Sequence, residues 1–326
     1  MKPRDDLARE LHAVRESAGL FQLPGRGVIE VSGGDRTRWL DGMISADVKA
    51  LAPGGGAYGL LLTRQGRIVA DLHVLARADG FWLELEAAAL PGVAQRLAGY
   101  VIADDVTLTD LRPELARFAV EGPRAAERLG AAGADASGLA PHGWREASIA
   151  GASLTLAAYG FTGLPAFQLF VPAGAAAAVS DALLATGLTT ASDDTLECLR
   201  IAAGLPRLGR ELDESVLPAE ARLEAAISTS KGCYTGQEVV TRMRTRGRVG
   251  HLLIGLRFDG DTLPARGAEI HGPAGRLGQL TSSVLSPDDG AIGLGFVRAE
   301  AAEPGTSVRV DGTPARLVAL PMQPLA

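Results

Sequence analysis

The 326-residue sequence contains no asparagine and three lysines (Lys2, Lys49, Lys231), so 32 − 3 = 29 of its basic residues are arginine. GC-rich coding suppresses both residue types and accounts for the bias without any function. Against that background Lys231 stands out. The two cysteines, Cys198 and Cys233, exclude a disulfide framework and suit a reducing compartment. A long hydrophobic run is also missing. The longest apolar stretch, near Ala173 to Leu188, carries Ser180 and Asp181 and is too short to span a bilayer. The opening MKPRDDLARE alternates charges and lacks an apolar core, so no secretory signal is expected. The expectation is a cytoplasmic chain with no membrane association. With 32 basic and 38 acidic residues the net charge is −6, which excludes a global attraction to nucleic acid. Any anion site has to be a local cluster.

Several common machineries are absent as well. No Walker loop occurs. Gly54 to Gly59 (GGGAYG) matches G-x-G-x-x-G but precedes the strand-like Leu60 to Thr63, whereas phosphate binding needs it to follow a strand and open a helix. The five histidines (12, 73, 142, 251, 271) and two cysteines show no metal-ligand spacing, so no metal is expected.

What is present reads as two α+β units and a small β unit. Leu7, Leu11, Val14 and Ala18 recur at helical spacing until Gly19. Val28 to Val31 reads as a strand, followed by a helix carrying Trp39, Leu40 and Met43. Tyr58 to Thr63 and Ile68 to Leu75 flank Arg64 to Arg67 as a hairpin, which puts Asp71 and His73 on one face. Phe81 to Glu86 is a further strand, and Pro91 suits the first turn of a helix. A similar order repeats from Phe118 to about Leu184, and Ser192 or Asp193 can cap a helix through Leu196 and Leu199. Beyond Arg248, short apolar strands split by Gly, Pro and Asp read as a barrel or sandwich, Leu252 to Leu320.

The densest chemistry lies in Lys231 to Glu238, KGCYTGQE. Two glycines let the backbone turn tightly, and between and beyond them sit a thiol, a phenol, a hydroxyl, an amide and a carboxylate. Such a loop is expensive to bury without partners, and flanking cations would favour the Cys233 thiolate. The plain alternative is a turn around an inert, buried cysteine. Arg242, Arg244, Arg246 and Arg248 follow, giving residues 231–248 a charge of +5 − 1 = +4. Four guanidiniums suit a carboxylate tail or a phosphate backbone, or simply form a solvated face. Asp71 reads either as a buried proton acceptor or as a polar residue on an outer strand face. Tyr58 and Trp39 read as core aromatics, and Cys198 as core.

KGCYTGQE, the following Val-Val-Thr-Arg, and Arg246-Gly247 resemble the signature of YgfZ-type folate-binding proteins, a branch of the glycine-cleavage T-protein family. Further blocks are similar to that family along nearly the whole chain: Ala18 to Phe21, Gly66 to Leu72, Glu121-Gly122-Pro123, Arg200 to Pro206 (RIAAGLP), Pro218 to Glu220, and Ser283 to Pro287. The resemblance implies an α+β fold, a three-lobed ring of two ferredoxin-like lobes plus a C-terminal β-barrel. It divides the chain into a folate-binding region 1–245 (lobes of roughly 1–112 and 113–245) and a barrel domain 246–326. It implies tetrahydrofolate in a central cavity, with Tyr58, Asp71, Tyr234, Gln237, Glu238 and Arg242 as its contacts. Cys233 would be the reactive thiol, with Lys231 beside it.

The function it implies first is an accessory protein that supports iron–sulfur cluster assembly or repair and iron–sulfur-dependent tRNA modification. Its partners would be iron–sulfur enzymes or assembly proteins. The alternative is a tetrahydrofolate-dependent aminomethyl- or methyltransferase, or a demethylase. A third reading makes the basic arm a docking surface for RNA or protein. Two departures bear on the alternative. The paired Asp-Asp-Leu of classical aminomethyltransferases is Ala70-Asp71-Leu72 here, and their Thr-Gly-Glu-x-Gly-Phe-Glu is Thr162 to Gln168 without either acid.

Overall fold

The computed structural model describes residues 3–247 and 249–322, with the side chains of 244–246 excepted. It opens with α1 (Arg4–Glu16), whose Leu7, Leu11 and Val14 are buried as their spacing predicts, and β1 (Gly19–Gln22). The first lobe follows: β2 (Arg26–Ser32), α2 (Arg36–Met43), β3 (Gly56–Leu62), β4 (Ile68–Ala76), β5 (Gly80–Glu86), α3 (Leu90–Ala98) and β6 (Thr107–Asp110). Its antiparallel sheet has the order β3-β4-β5-β2-β6. The second lobe runs β7 (Leu115–Glu121), α4 (Ala125–Ala131), β8 (Trp144–Ile149), β9 (Ala152–Ala157), β10 (Ala166–Pro172), α5 (Ala176–Ala185) and β11 (Thr189–Ala191). Its sheet, β11-β1-β7-β10-β9-β8, takes β1 from before the first lobe. Then come α6 (Asp193–Ala203), capped by the Ser192 side chain on Thr195 N–H, and α7 (Gln237–Arg246). A closed barrel completes the chain: β12 (His251–Phe258), β13 (Glu269–Gly272), β14 (Gly275–Ser286), β15 (Gly290–Arg298), β16 (Ser307–Val310) and β17 (Thr313–Val318).

The period-two alternation decides where the site lies. In the first sheet Ile29, Val31, Leu72, Val74, Leu83 and Leu85 pack under the helices. In the second, Phe118, Val120, Leu154, Leu156, Leu169 and Val171 do the same. The opposite faces carry Arg26, Asp71, His73, Glu84, Arg117, Glu121 and Gln168, all sequestered from water. These faces meet each other, joined by Val28, Leu75, Trp82, Ala157, Tyr159 and Phe170. Charges on a face buried between two sheets must be paired. That requirement shapes everything in the cavity between them. Among the described residues no helix is long and apolar enough to cross a membrane.

Candidate functional site

A cavity of about 820 Å³ lies where the two polar faces, α6 and the segment 205–208 converge. Its floor comes from β3 and β4, its far wall from residues 158–164, and its mouth carries Glu86, Glu197 and Arg207. The size suits a drug-sized ligand, and the lining is mostly apolar with a few polar groups.

Beneath the floor is an ion-pair network. Arg26 donates through Nε (2.7 Å) and a terminal nitrogen (2.6 Å) to Glu84, and to Glu86 at 3.0 Å. Arg117 reaches Glu84 at 3.4 Å and Gln168 at 3.3 Å, and its guanidinium lies 3.4 Å from the Phe170 ring centre. Burial would raise Glu84, but Arg26 and Arg117 outweigh it and bring the carboxyl down to about 2. Burial also works against the Arg26 charge, and Glu84 with Glu86 overcomes that, leaving it firmly protonated.

Above this network, Tyr58 and His73 sit opposite each other on β3 and β4, with ring centres 4.9 Å apart. The Tyr58 hydroxyl donates to Asp71 Oδ2 at 3.2 Å. Asp71 Oδ1 is buried without a partner. Burial raises Asp71 above the ordinary carboxylate value against the pull of Arg26, and Glu86 adds to the rise. Burial, and then Asp71, pushes the Tyr58 phenol well above its ordinary value. Tyr159 stacks on His73 at 3.9 Å, and Phe161 meets it edge-on at 5.7 Å. Burial pulls His73 down to about 3, so its imidazole is neutral at physiological pH.

Behind the wall, Glu121 receives Phe161 N–H, Thr162 N–H and hydroxyl, and the Gln168 amide at 2.5 to 3.2 Å. Complete burial outweighs these donors and lifts it to about 7. It orders the turn at 160–163. At the mouth Arg207 bridges Glu86 (2.9 Å) and Glu197 (3.2 Å), while Arg200 bridges Glu197 (2.7 Å) and Glu211 (3.0 Å).

Of the residues singled out in the sequence, Tyr58 and Asp71 line this cavity together. Lys231, Cys233, Tyr234, Gln237, Glu238 and Arg242 do not. They belong to a strap laid over the turn end of the β3–β4 hairpin. The Lys231 ammonium has no exposed surface. It donates to the carbonyls of Asp41 (2.5 Å), Ile44 (2.8 Å) and Ala46 (2.6 Å) and pairs with Asp41 Oδ1 at 3.2 Å. Its charge is thus committed to α2 and the turn after it. Cys233 is exposed, and Tyr234 is buried among Leu60, Leu62, Ile68 and Val216. Gln237 and Glu238 form the first turn of α7, so the loop ends earlier than the sequence suggested. Arg242 is exposed on that helix. The side chains of Arg244 and Arg246, and all of Arg248, lie outside the described residues. Cys198 is buried in α6, and burial pushes its thiol up to about 12.

Sequence reasoning missed Arg26, Glu84, His142, Tyr159, Glu197 and Arg207 as site residues. Only His73 had a signal, its two-residue spacing from Asp71.

The profile of the GCVT N-terminal domain matches residues 3–231. The chain belongs to the glycine-cleavage T-protein (aminomethyltransferase) family. The aminomethyltransferase of Herpetosiphon aurantiacus is 31% identical over 92% of this chain and 84% of its own length. That of Cutibacterium acnes is 33% identical over 94% and 86%. The crystal structure of the glycine cleavage system aminomethyltransferase T from Bartonella henselae matches 98% of this chain and 90% of its own with a TM-score of 0.89 at 24% identity. It confirms the expected fold, two α+β lobes with a closed six-stranded barrel. The first functional expectation is corrected by these relatives. An accessory role in iron–sulfur metabolism and tRNA modification rested on an eight-residue loop outside the cavity. Likeness to proteins named aminomethyltransferase extends over more than nine-tenths of the chain.

Proposed function

We propose that this chain is a tetrahydrofolate-dependent one-carbon transferase that moves the carbon of an aminomethyl group, or a methyl group, from its donor to the folate, with the donor's amine released. The observation that carries the reading is Asp71 Oδ1, a buried carboxylate oxygen left unpartnered in a folate-sized cavity. An open acceptor there costs free energy unless a ligand N–H meets it. The rings of Tyr58, His73 and Tyr159 line the cavity and offer aromatic contact to a fused ring. Tetrahydrofolate, when bound, supplies the nitrogen that takes or gives the one-carbon unit.

The residues divide the remaining work. Tyr58 holds Asp71 by its Oδ2, which turns Oδ1 to the ligand. Placed there, Asp71 can accept a proton or stabilise a cationic amine as it develops. Arg26 and Glu84 fix the strands beneath, and burial keeps His73 neutral against the pull of Glu84. Ala70 and Leu164 stand where classical relatives carry acids, so Asp71 does this alone. The strap is proposed to act at a distance. Thr235 N–H bonds Gly42, and Gly236 lies against Thr63 and Gly66 at the hairpin turn, which steadies the strand that bears Asp71. The strap sequence KGCYTGQE supports assignment to the YgfZ-type branch of the family. A division into regions 1–245 and 246–326, and a cytoplasmic location, belong to the same reading. They are supported by the first barrel strand starting at His251 and by two free thiols.

The test is to assay methylenetetrahydrofolate formation from an aminomethylated carrier protein and methyltetrahydrofolate formation from methylamine donors. Asp71→Asn is expected to lower kcat/KM by about a hundredfold or more, the range for loss of one positioned acid–base group. Turnover by the wild type that Asp71→Asn leaves unchanged would sink the proposal.

A further inference from the structure

Two ring nitrogens at the cavity have no partner within the protein. Nδ1 of His73 and Nδ1 of His142 are both buried and unpaired. The rings come from different lobes, 5.7 Å apart between centres and tilted by 30°. Tyr159 is stacked on His73 and lies 6.2 Å from His142. His142 is held in the left-handed region, φ 61°, with its N–H donating to Ala158 at 2.8 Å. Backbone strain of this kind persists where surrounding structure enforces it, often at ligand sites. Burial lowers both imidazoles below their ordinary value, His73 to about 3. Neither therefore offers a positive charge to an anion. The nearby cations are also committed, since Arg26, Arg200 and Arg207 are each paired with acids. The second-lobe wall, residues 158–164 (AYGFTGL), brings no carboxylate to orient a ring. The polar edge of a bound heterocycle must find its partners elsewhere.

We propose that His73 and His142 together read an uncharged nitrogen heterocycle in this cavity, each as a neutral hydrogen-bonding group acting through Nδ1. The inference rests on the folate reading above, in which that heterocycle is the pterin. A neutral imidazole presents one donor and one acceptor, so the pair can match the alternating N–H and carbonyl edge of such a ring. Specificity follows from the same burial. A ligand lacking that edge leaves both nitrogens unmet, and a site built on buried polar groups rejects such a ligand strongly.

The experiment titrates 5-formyltetrahydrofolate into wild type, His73→Phe and His142→Phe by calorimetry. Phenylalanine keeps the stack on Tyr159 and removes the nitrogens. In parallel, protein labelled with ¹⁵N-histidine is titrated and observed by NMR. The Kd is expected to rise at least tenfold in each variant. The Nδ1 resonances of His73 and His142 are expected to move while that of exposed His12 stays fixed. Wild-type binding with variants within twofold, or with both Nδ1 resonances unmoved, overturns the imidazole pair and leaves the folate reading standing. No binding by the wild type overturns the folate reading, and the pair with it. Should a variant fail to fold, the wild-type NMR titration decides alone.

Discussion

An ammonium with no exposed surface needs a full set of acceptors, and Lys231 has three carbonyls and a carboxylate. Burial draws Lys231 below the ordinary lysine value, with Asp41 opposing. Burial would raise Asp41, but Lys231 and Lys49 outweigh it and hold that carboxyl low. Lys231→Met removes the cation and strands the acceptors. It is expected to cost about 3 kcal/mol in urea unfolding, the low end for breaking a buried pair. A cost within experimental error would mean the carbonyls are met by water. His73 gives a pH signature. Its folded value of about 3 lies below the unfolded 6.5, so between these the unfolded chain binds a proton that the folded chain refuses. Its contribution is fully present above pH 6.5 and is lost as pH falls toward 3, a span worth up to about 5 kcal/mol. Glu121, raised to about 7, acts oppositely as pH rises from 4.5. The difference between wild type and His73→Phe isolates the His73 effect. That difference should shift in the variant's favour from pH 6.5 to 4, and a constant difference would refute it. Neither role was legible in the sequence. Lys231 stood out by rarity, but its acceptors lie some 190 positions away at 41–46, and no local pattern records that.

At the scale of elements, much was readable. The hairpin around Arg64 to Arg67 forms as its alternation predicts, and Asp71 and His73 share a face. What alternation could not say is what that face meets. A polar residue every second position normally marks a solvent side, yet here the side is covered by a second sheet. His142 and Tyr159 sit in the segments flanking β8 and β9 and carry no periodic signal. They reach the site because the lobes face each other. The strap offers an element-scale test. Gly236 has φ 87° and starts α7. A Cβ there would come within 2.6 Å of the Thr63 carbonyl and 3.2 Å of Gly66 Cα. Gly236→Ala thus combines left-handed strain with a backbone clash, for about 2 kcal/mol. If the strap steadies the hairpin, this variant should also lower kcat/KM severalfold with every cavity residue intact. Lost stability with unchanged kinetics would separate the strap from the site.

At the scale of the whole molecule, the charged residues around the cavity form one connected chain. It runs from Arg117 on β7 to Glu84, Arg26 and Glu86 in the first lobe, then through Arg207 to Glu197 and Arg200 on α6. From Arg200 it passes to Glu211, which accepts the Ser282 hydroxyl of β14 in the barrel at 2.5 Å. The two α+β lobes and the segment around α6 thus supply the charged groups at the cavity, and the barrel joins the network beneath it through the Ser282 hydroxyl, which bonds Arg200 and Glu211. Glu211 is the joint. It is 1% exposed and also accepts the Arg207 N–H at 3.0 Å. Glu211→Ala strips acceptors from Arg200, Arg207 N–H and Ser282 together, and should cost about 3 to 5 kcal/mol. Glu211→Gln, which keeps an acceptor oxygen, should cost less. Because the chain ties the barrel to α6 beneath the cavity, ligand binding should weaken in Glu211→Ala although Glu211 is not in the lining. The check is urea unfolding with and without 5-formyltetrahydrofolate. Equal ligand-induced stabilisation in wild type and variant would show that the barrel only shelters the site and does not help to hold it in shape.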